Sequence, residues 1–152
     1  QRPEQGACPA RARAKNMALE DDLRGLLLAA AAGGAVLTPA VQVNWGVHPQ
    51  GVALPGVVLT LVAGGEGIAQ DGPTGLEQVQ VQIDAYAGTA GVAAALAREI
   101  RTVLHGFRGN GATGFFEGIF LTATRSGREG GSNEAERPFR QSMDFDVNWR
   151  AT

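Results

Sequence analysis

Residues Glu77 to Ala87 alternate so strictly between apolar and polar side chains that they predict a β-strand with one buried side. The apolar members are Val79, Val81, Ile83 and Ala85. Thr89 follows as a predicted helix cap, and the next residues adopt the spacing of an amphipathic helix. A helix of this kind can cover one face of the sheet to which the strand belongs.

The apolar stripe of this second helix ends near Gly106 and Gly109. Its members are Val92, Leu96, Ile100, Val103, Leu104 and Phe107. Arg98 and Arg101 fall on the opposite, solvent-facing side. A first helix is predicted over residues 19–32, where five residues share one stripe and Gly33-Gly34 ends the helix. They are Leu19, Leu23, Leu26, Leu27 and Ala30.

Four further segments have the pattern of strands, namely Ala40–Trp45, Gly56–Ala63, Phe115–Arg125 and Phe139–Ala151. The second of these is apolar on both faces, which indicates a central strand or one whose outer face a partner covers. In the last strand, alternation places five polar residues on the outer side, namely Arg140, Ser142, Asp144, Asp146 and Asn148.

The predicted order of elements is α-β-β-β-α-β-β, and 152 residues fit one domain. Consecutive strands imply hairpins. We therefore predict a single α+β domain with a mainly antiparallel sheet of about five strands and two helices packed on one face.

Two glycine-rich stretches predict loops, namely Gly64–Gly75 and Ser126–Pro138. The second is long, polar and of mixed charge, which is typical of an interaction loop. We expect it to contact a partner protein. Its charged residues are Arg128, Glu129, Glu134, Glu136 and Arg137.

Residues 1–16 differ in composition from the rest of the chain. They hold four basic residues and one acidic residue, a net charge of +3, and contain no apolar periodicity. We interpret them as a non-native or flexible basic extension that precedes a domain at 17–152, the alternative being an arm that grips a neighbour or DNA.

Removal of residues 1–16 is expected to leave the fold intact, because this segment has no apolar stripe to bury. Thermal melting of the shortened and full chains should give the same midpoint. A loss of many degrees, or a block in assembly, would instead show that the segment belongs to the structure.

Composition excludes several classes of protein. The net charge is −2, so bulk electrostatics does not attract nucleic acid. Cys8 is the single cysteine, which rules out an internal disulfide. No apolar run reaches about 18 residues, so no membrane span is predicted.

No pattern for catalysis, metal or cofactor binding stands out. Gly109–Gly114 matches G-x-G-x-x-G, but it follows a helix and opens a strand, the reverse of a dinucleotide site. Asp144 and Asp146 lack a third carboxylate at a set spacing, and neither His48 nor His105 belongs to a catalytic motif. We therefore predict no enzyme activity and no cofactor.

Seven segments, taken in order, are similar to the tail-terminator (tail-completion) proteins of long-tailed phages with non-contractile tails. The segments are Met17–Leu23, Trp45–Gly51, Leu54–Leu59, Asp71–Pro73, Val81–Ala87, Phe116–Leu121 and Phe139–Phe145. The resemblance implies an antiparallel sheet with packed helices and a ring of six subunits in the virion, at the head–tail junction.

By this resemblance, the partners would be other copies of the chain, the tail tube protein and a head-completion or connector protein. Genome DNA would pass through the lumen without sequence-specific binding, and subunits would assemble in the host cytoplasm. The loop over Ser126–Pro138 would contact a neighbouring subunit or the tube, or face the ring lumen. A head–tail connector or other neck ring protein, and a small ligand-binding module, stay open as alternatives. As the patches that join the subunits, we expect Arg98 and Arg101 to face Asp144 and Asp146 of a neighbour.

Overall fold

The computed structural model describes residues 19–38, 41–46, 55–69, 72–128 and 138–151. Helix α1 covers residues 19–31, and helix α2 covers Ala90–Leu104. The strands are β1 (Gln42–Trp45), β2 (Gly56–Ala69), β3 (Gly72–Ala87), β4 (Gly109–Asn110), β5 (Gly114–Arg128) and β6 (Phe139–Ala151). Neither helix is long and apolar enough to cross a membrane.

In the described part of the chain, six strands form one sheet in the order β1-β2-β3-β6-β5-β4. All neighbouring strands are antiparallel except β1 and β2, which are parallel. The long strands β3 and β6 lie at the centre, with Ile83 opposite Met143 and Val81 opposite Phe145. The predicted α+β class with two helices and a mainly antiparallel sheet is confirmed.

Both helices pack on the same face of the sheet, because each buries its apolar stripe against the inward residues of the central strands. Leu19, Leu23 and Leu27 of α1 are fully buried in one core with Ile100 and Leu104 of α2. Thr89 caps α2 as predicted, since its hydroxyl accepts a hydrogen bond from the Val92 N–H at 3.3 Å. Val92 itself was predicted in the buried stripe but is exposed; Ala93 is buried in its place.

The prediction of a loop over Gly64–Gly75 is wrong for the described residues of that range. β2 continues to Ala69, β3 begins at Gly72, and Gly64 pairs with Val79. A ladder already aligned along the hairpin extends through backbone hydrogen bonds, which glycine forms like any other residue. The local preference of glycine for turns is weaker than this continuing alignment.

The prediction that consecutive strands form hairpins fails at β1 and β2, which run parallel. Pairing in the sheet is decided by where apolar faces meet, and β1 adds to the edge of β2 beneath α1. The sheet also contains the short strand β4, which pairs with β5 beyond the end of α2 and raises the strand number from the predicted five to six.

The predicted loop over Ser126–Pro138 begins later than expected. Ser126 and Arg128 belong to β5, and Ser126 is paired with Gln141 of β6. The serine hydroxyl also donates to the Gln141 side chain at 3.0 Å, so polar side chains here link the two paired strands. Residues 129–137 lie outside the described residues.

Candidate functional site

The two arginines predicted for a subunit interface are exposed on the outer side of α2. Arg98 and Arg101 line a shallow depression of about 320 Å³ together with Thr102 and His105. The Arg98 Nε donates to the carbonyl of Ala94 one turn earlier, at 3.4 Å. Helical geometry therefore presents both guanidinium groups on one patch, away from the sheet.

The two aspartates predicted as their partners lie on the opposite face of the sheet and differ from each other. Asp144 was predicted on an outer, polar side, but it is buried and accepts a hydrogen bond from Arg125 at 2.9 Å. Strand alternation predicted only the face of the sheet on which the Asp144 side chain lies. The Arg125 guanidinium, from β5, contacts the Asp144 carboxylate and covers it. Asp146 is exposed, and the described residues include no ion-pair partner for it.

Asp146 lines an open groove of about 480 Å³ that crosses the outer face of the sheet. The groove is bordered by Phe120, whose ring is 49% exposed, and by polar side chains. The polar members are Gln78, Gln80 and Asn148. An exposed aromatic ring beside amides and one carboxylate is typical of a protein contact surface.

A polar network on the same face lies nearer the other end of the central strands. Asp84 is buried and accepts hydrogen bonds from the Ser142 hydroxyl and from Gln82 Nε2, the latter at 3.1 Å. Sequence alternation placed these side chains on the outer side but did not reveal that Asp84 and Ser142 are buried. Cross-strand pairing brings them together, and this pairing is visible only in the register of β3 with β6.

Of the five charged residues in the predicted interaction loop, the structure describes only Arg128, whose backbone lies at the end of β5. Glu129, Glu134, Glu136 and Arg137 lie outside the described residues. Their role in contacts with a neighbour, the tube or the lumen stays a prediction.

The glycine motif forms the turn of a hairpin between β4 and β5, where Gly111 N–H donates to the Gly114 carbonyl at 2.7 Å. A Cβ at Gly111 would lie 2.4 Å from the carboxylate of Asp22, and one at Gly114 would lie 2.4 Å from the Trp149 ring. Close approach of other side chains therefore explains these two glycines.

Asp22 is the polar residue that sequence reasoning missed. It is buried, and its carboxylate accepts hydrogen bonds from Thr113 N at 2.9 Å, Thr113 Oγ1 at 3.0 Å and Trp149 Nε1 at 3.0 Å. The sequence indicated only an acidic residue that suits the first turn of α1. In the fold it ties α1 to the hairpin turn and to the last strand.

Glu99 forms a second tether between distant parts of the chain. Its carboxylate accepts hydrogen bonds from the backbone N–H groups of Ala35 at 2.8 Å, Val36 at 2.9 Å and Leu37. These bonds lower the pKa of Glu99, the Leu37 bond having the largest effect. The carboxylate thereby holds the turn after α1 against α2.

Within the described ranges, no three His, Cys, Asp or Glu side chains are grouped so that they could hold a metal ion. His105 is used structurally, because its Nδ1 accepts the Leu121 N–H at 2.9 Å and its ring meets Phe120 edge-on. His48 and Cys8 lie outside the described residues.

We expect no dependence of stability on metal or nucleotide. A ligand that binds the native state alone raises the melting temperature by mass action, so EDTA, Mg²⁺ and ATP should each leave it unchanged. Differential scanning fluorimetry would measure this. A clear shift with Mg²⁺ would indicate a cation at Asp144 and Asp146, and one with ATP would indicate phosphate binding at Gly109–Gly114.

Comparison with known proteins shows similarity to one protein family and to solved structures. Residues 21–148 match the family model described as Tail completion protein gp17. Among solved structures, a chain from "Virion of native gene transfer agent (GTA) particle" superposes with a TM-score of 0.57 at 15% sequence identity, covering 86% of this chain and 96% of that chain. Among curated protein sequences, none matches.

The fold, shared with a chain from a phage-like virion, and the family model define a structural protein of a viral tail. The model spans most of the chain, and the chain therefore belongs to the tail completion protein gp17 family. The resemblance predicted from the sequence is confirmed.

Proposed function

We propose that the protein forms a hexameric ring that caps the tail tube, ends its polymerisation and joins tail to head. The observation that carries this proposal is the family match over residues 21–148. The protein has no role as an enzyme in this proposal, and subunits assemble in the host cytoplasm before they enter the virion.

The character of the described surface supports a role in assembly. Among the described residues, five large apolar side chains are exposed, namely Leu28, Leu61, Val62, Val92 and Phe120. Exposed apolar groups beside polar ones mark contact surfaces between proteins. The groove that Asp146 lines is open, whereas a small-ligand site is typically a deep pocket with convergent polar groups.

The outer face of the sheet also suits a wall past which DNA moves. The polar side chains that line its groove are amides and one carboxylate, including Gln78, Gln80 and Asp146, and they attract no phosphate. In the proposed ring, genome DNA passes through the lumen without sequence-specific binding.

Native mass spectrometry combined with negative-stain microscopy tests the ring. The expected species has six times the 15.8 kDa mass of the chain, and the expected image has six-fold symmetry. When mixed with purified tail tubes, the protein should bind at one tube end. A chain that stays monomeric at high concentration contradicts the ring, and binding to isolated heads but not to tubes supports a connector instead.

Arg101→Glu should weaken ring formation more than it weakens the monomer, because this residue is exposed on α2 and outside the core. Asp144 is engaged with Arg125 of its own chain, so Asp146 is the carboxylate still available to a neighbour. A single exposed pair is worth about 0–1 kcal/mol, but a ring repeats it at every interface.

Sedimentation velocity of wild type, Arg101→Glu and the charge-preserving control Arg101→Lys measures the effect. The control should assemble like wild type, and added salt should weaken the wild-type ring. If the Arg101→Glu ring stays intact and salt has no effect, the subunit interface does not use these charges.

A further inference from the structure

In the described part of the chain, no other strand or side chain hydrogen-bonds to the outer edge of β2 over more than half of its length. We call this part of the edge open. β1 covers it only from Gly56 to Leu59, and the last contact there is the Gly46 N–H donating to the Leu59 carbonyl at 2.8 Å. Beyond that point, the described residues supply no strand, cap or side chain to this edge, although β2 continues to Ala69. Backbone groups alternate along a strand, so Leu61, like Leu59, directs its N–H and carbonyl outward.

Most other positions along the edges of the described sheet are protected. The Arg24 guanidinium donates to the Val43 carbonyl on edge strand β1 at 2.8 Å. On β5, residues after α2 cover the edge at Ile119 and Leu121: Gly106 N–H donates to the Ile119 carbonyl, and Leu121 N–H donates to His105 Nδ1. The open part of β2 therefore contrasts with these protected parts of the sheet edges.

The first six residues of the open part of β2 also lack the residue types that keep strand edges apart. From Thr60 to Gly65 the sequence is Thr-Leu-Val-Ala-Gly-Gly, without a charge or a proline. Leu61 is 38% exposed and Val62 is 52% exposed. An exposed apolar edge with free backbone groups pairs with another strand when one is offered.

A second open edge lies on β5 of the same chain. β4 and the residues after α2 cover β5 only as far as Leu121, and residues 122–127 are exposed. This segment, Thr-Ala-Thr-Arg-Ser-Gly, begins with β-branched and small residues that suit strand pairing. One of the two bulges in each strand, at Val62 in β2 and at Thr122 in β5, lies at the same level of the sheet, beside the start of each open part.

The directions of the two strands fit each other. β2 is antiparallel to β3, β3 to β6 and β6 to β5, so β2 and β5 run in opposite directions. Rotation about a ring axis brings β5 of one copy beside β2 of the next as an antiparallel pair. The open part of β2 lies at the end of the sheet where β6 finishes, and that of β5 where β6 begins. Strands tilted against the ring axis accommodate this stagger.

We propose that the open edge of β2, residues 60–65, pairs with the open edge of β5, residues 122–127, of a second copy of this chain. This proposal rests on the proposed ring and names the contact that builds it. Each interface is heterologous, because two different edges meet, and such contacts close into a ring under rotation.

Val62→Lys tests the edge, since a lysine on an edge strand blocks pairing and its side chain is already solvent-facing. We expect its melting temperature to stay within about 2 °C of wild type, and its association constant to fall roughly tenfold or more. Leu28→Lys is the matched control, because Leu28 is a similarly exposed apolar residue, on α1. Assembly of Val62→Lys like wild type, measured by sedimentation velocity, overturns the proposal.

Cross-linking identifies the partner strand. In a Cys8→Ser background, chains carrying Ala63→Cys and Ala123→Cys are mixed and treated with a short bismaleimide. We expect a cross-linked pair in the mixture and none with either chain alone. Cross-linked pairs from the Ala63→Cys chain alone would show that β2 meets β2. If neither the mixture nor either chain alone gave cross-linked pairs, edge pairing would be overturned. A cross-linked mixture without six-fold particles would uphold the contact and contradict the hexameric ring.

Discussion

Asp22→Ala is expected to destabilise the protein by about 3 kcal/mol and to lower the melting temperature by roughly 10 °C. The reason is the Trp149 indole N–H, which is buried completely and donates to the Asp22 carboxylate at 3.0 Å. Without that acceptor, a buried donor has no partner and no access to water. Thr113 loses two bonds as well, but it is exposed, so water replaces them.

Two comparisons make this prediction specific. Asp21→Ala removes the neighbouring carboxylate, which is exposed, and should change stability by less than about 0.5 kcal/mol. In a Trp149→Phe background, the cost of Asp22→Ala should shrink by about 1–2 kcal/mol, because the indole donor is already gone. Equal costs in both backgrounds, measured by urea unfolding, would show that the hydrogen bond to Trp149 does not contribute.

Glu99→Gln is expected to cost about 1–2 kcal/mol at neutral pH, because a neutral amide replaces the carboxylate that accepts three backbone N–H groups. The carboxylate is half-buried, so water partly compensates for the lost bonds. The turn over residues 35–37 should loosen first, since these bonds hold it to α2. Faster hydrogen exchange at Val36 and Leu37 would report this directly.

The effect of Glu99 should also depend on pH in a defined direction. Its pKa in the folded protein lies below the ordinary value of 4.5, so the unfolded chain binds the proton more readily. The stabilisation is fully present above pH 4.5 and is lost as the pH falls through the lower folded pKa.

Urea unfolding of wild type and Glu99→Gln across pH 3–7 checks this direction. The difference in unfolding free energy should be constant above about pH 5 and shrink below it. Asp21→Asn serves as the control for loss of an exposed carboxylate. A difference that grows on acidification would contradict the assigned role of Glu99.

The sequence predicted most of the elements because periodicity reports which side of an element is buried. Alternation in Glu77–Ala87 and Phe139–Ala151 matches the central strands β3 and β6, and the apolar stripe of α1 matches the buried leucines. These patterns are local, so they can be recognised in the sequence without knowing which residues lie nearby in the fold.

The candidate interface was predictable only in part. Arg101 and Asp146 are exposed as expected, because single residues on the polar side of an amphipathic element face outward. Asp144 is not available in the same way, because Arg125 from the adjacent strand covers it. No spacing in the sequence states which strand lies beside which.

By itself, the sequence determined the fold class, the two helices, the sides of the central strands and the family, all of which depend on local patterns and their order. Only the tertiary structure decided that β2 continues through its glycines, that β1 runs parallel to β2, and that Asp22 binds Trp149. These features join residues far apart in the chain, here by 127 positions for Asp22 and Trp149. Long-range pairing depends on the free energy of the whole assembled core, which no local pattern contains.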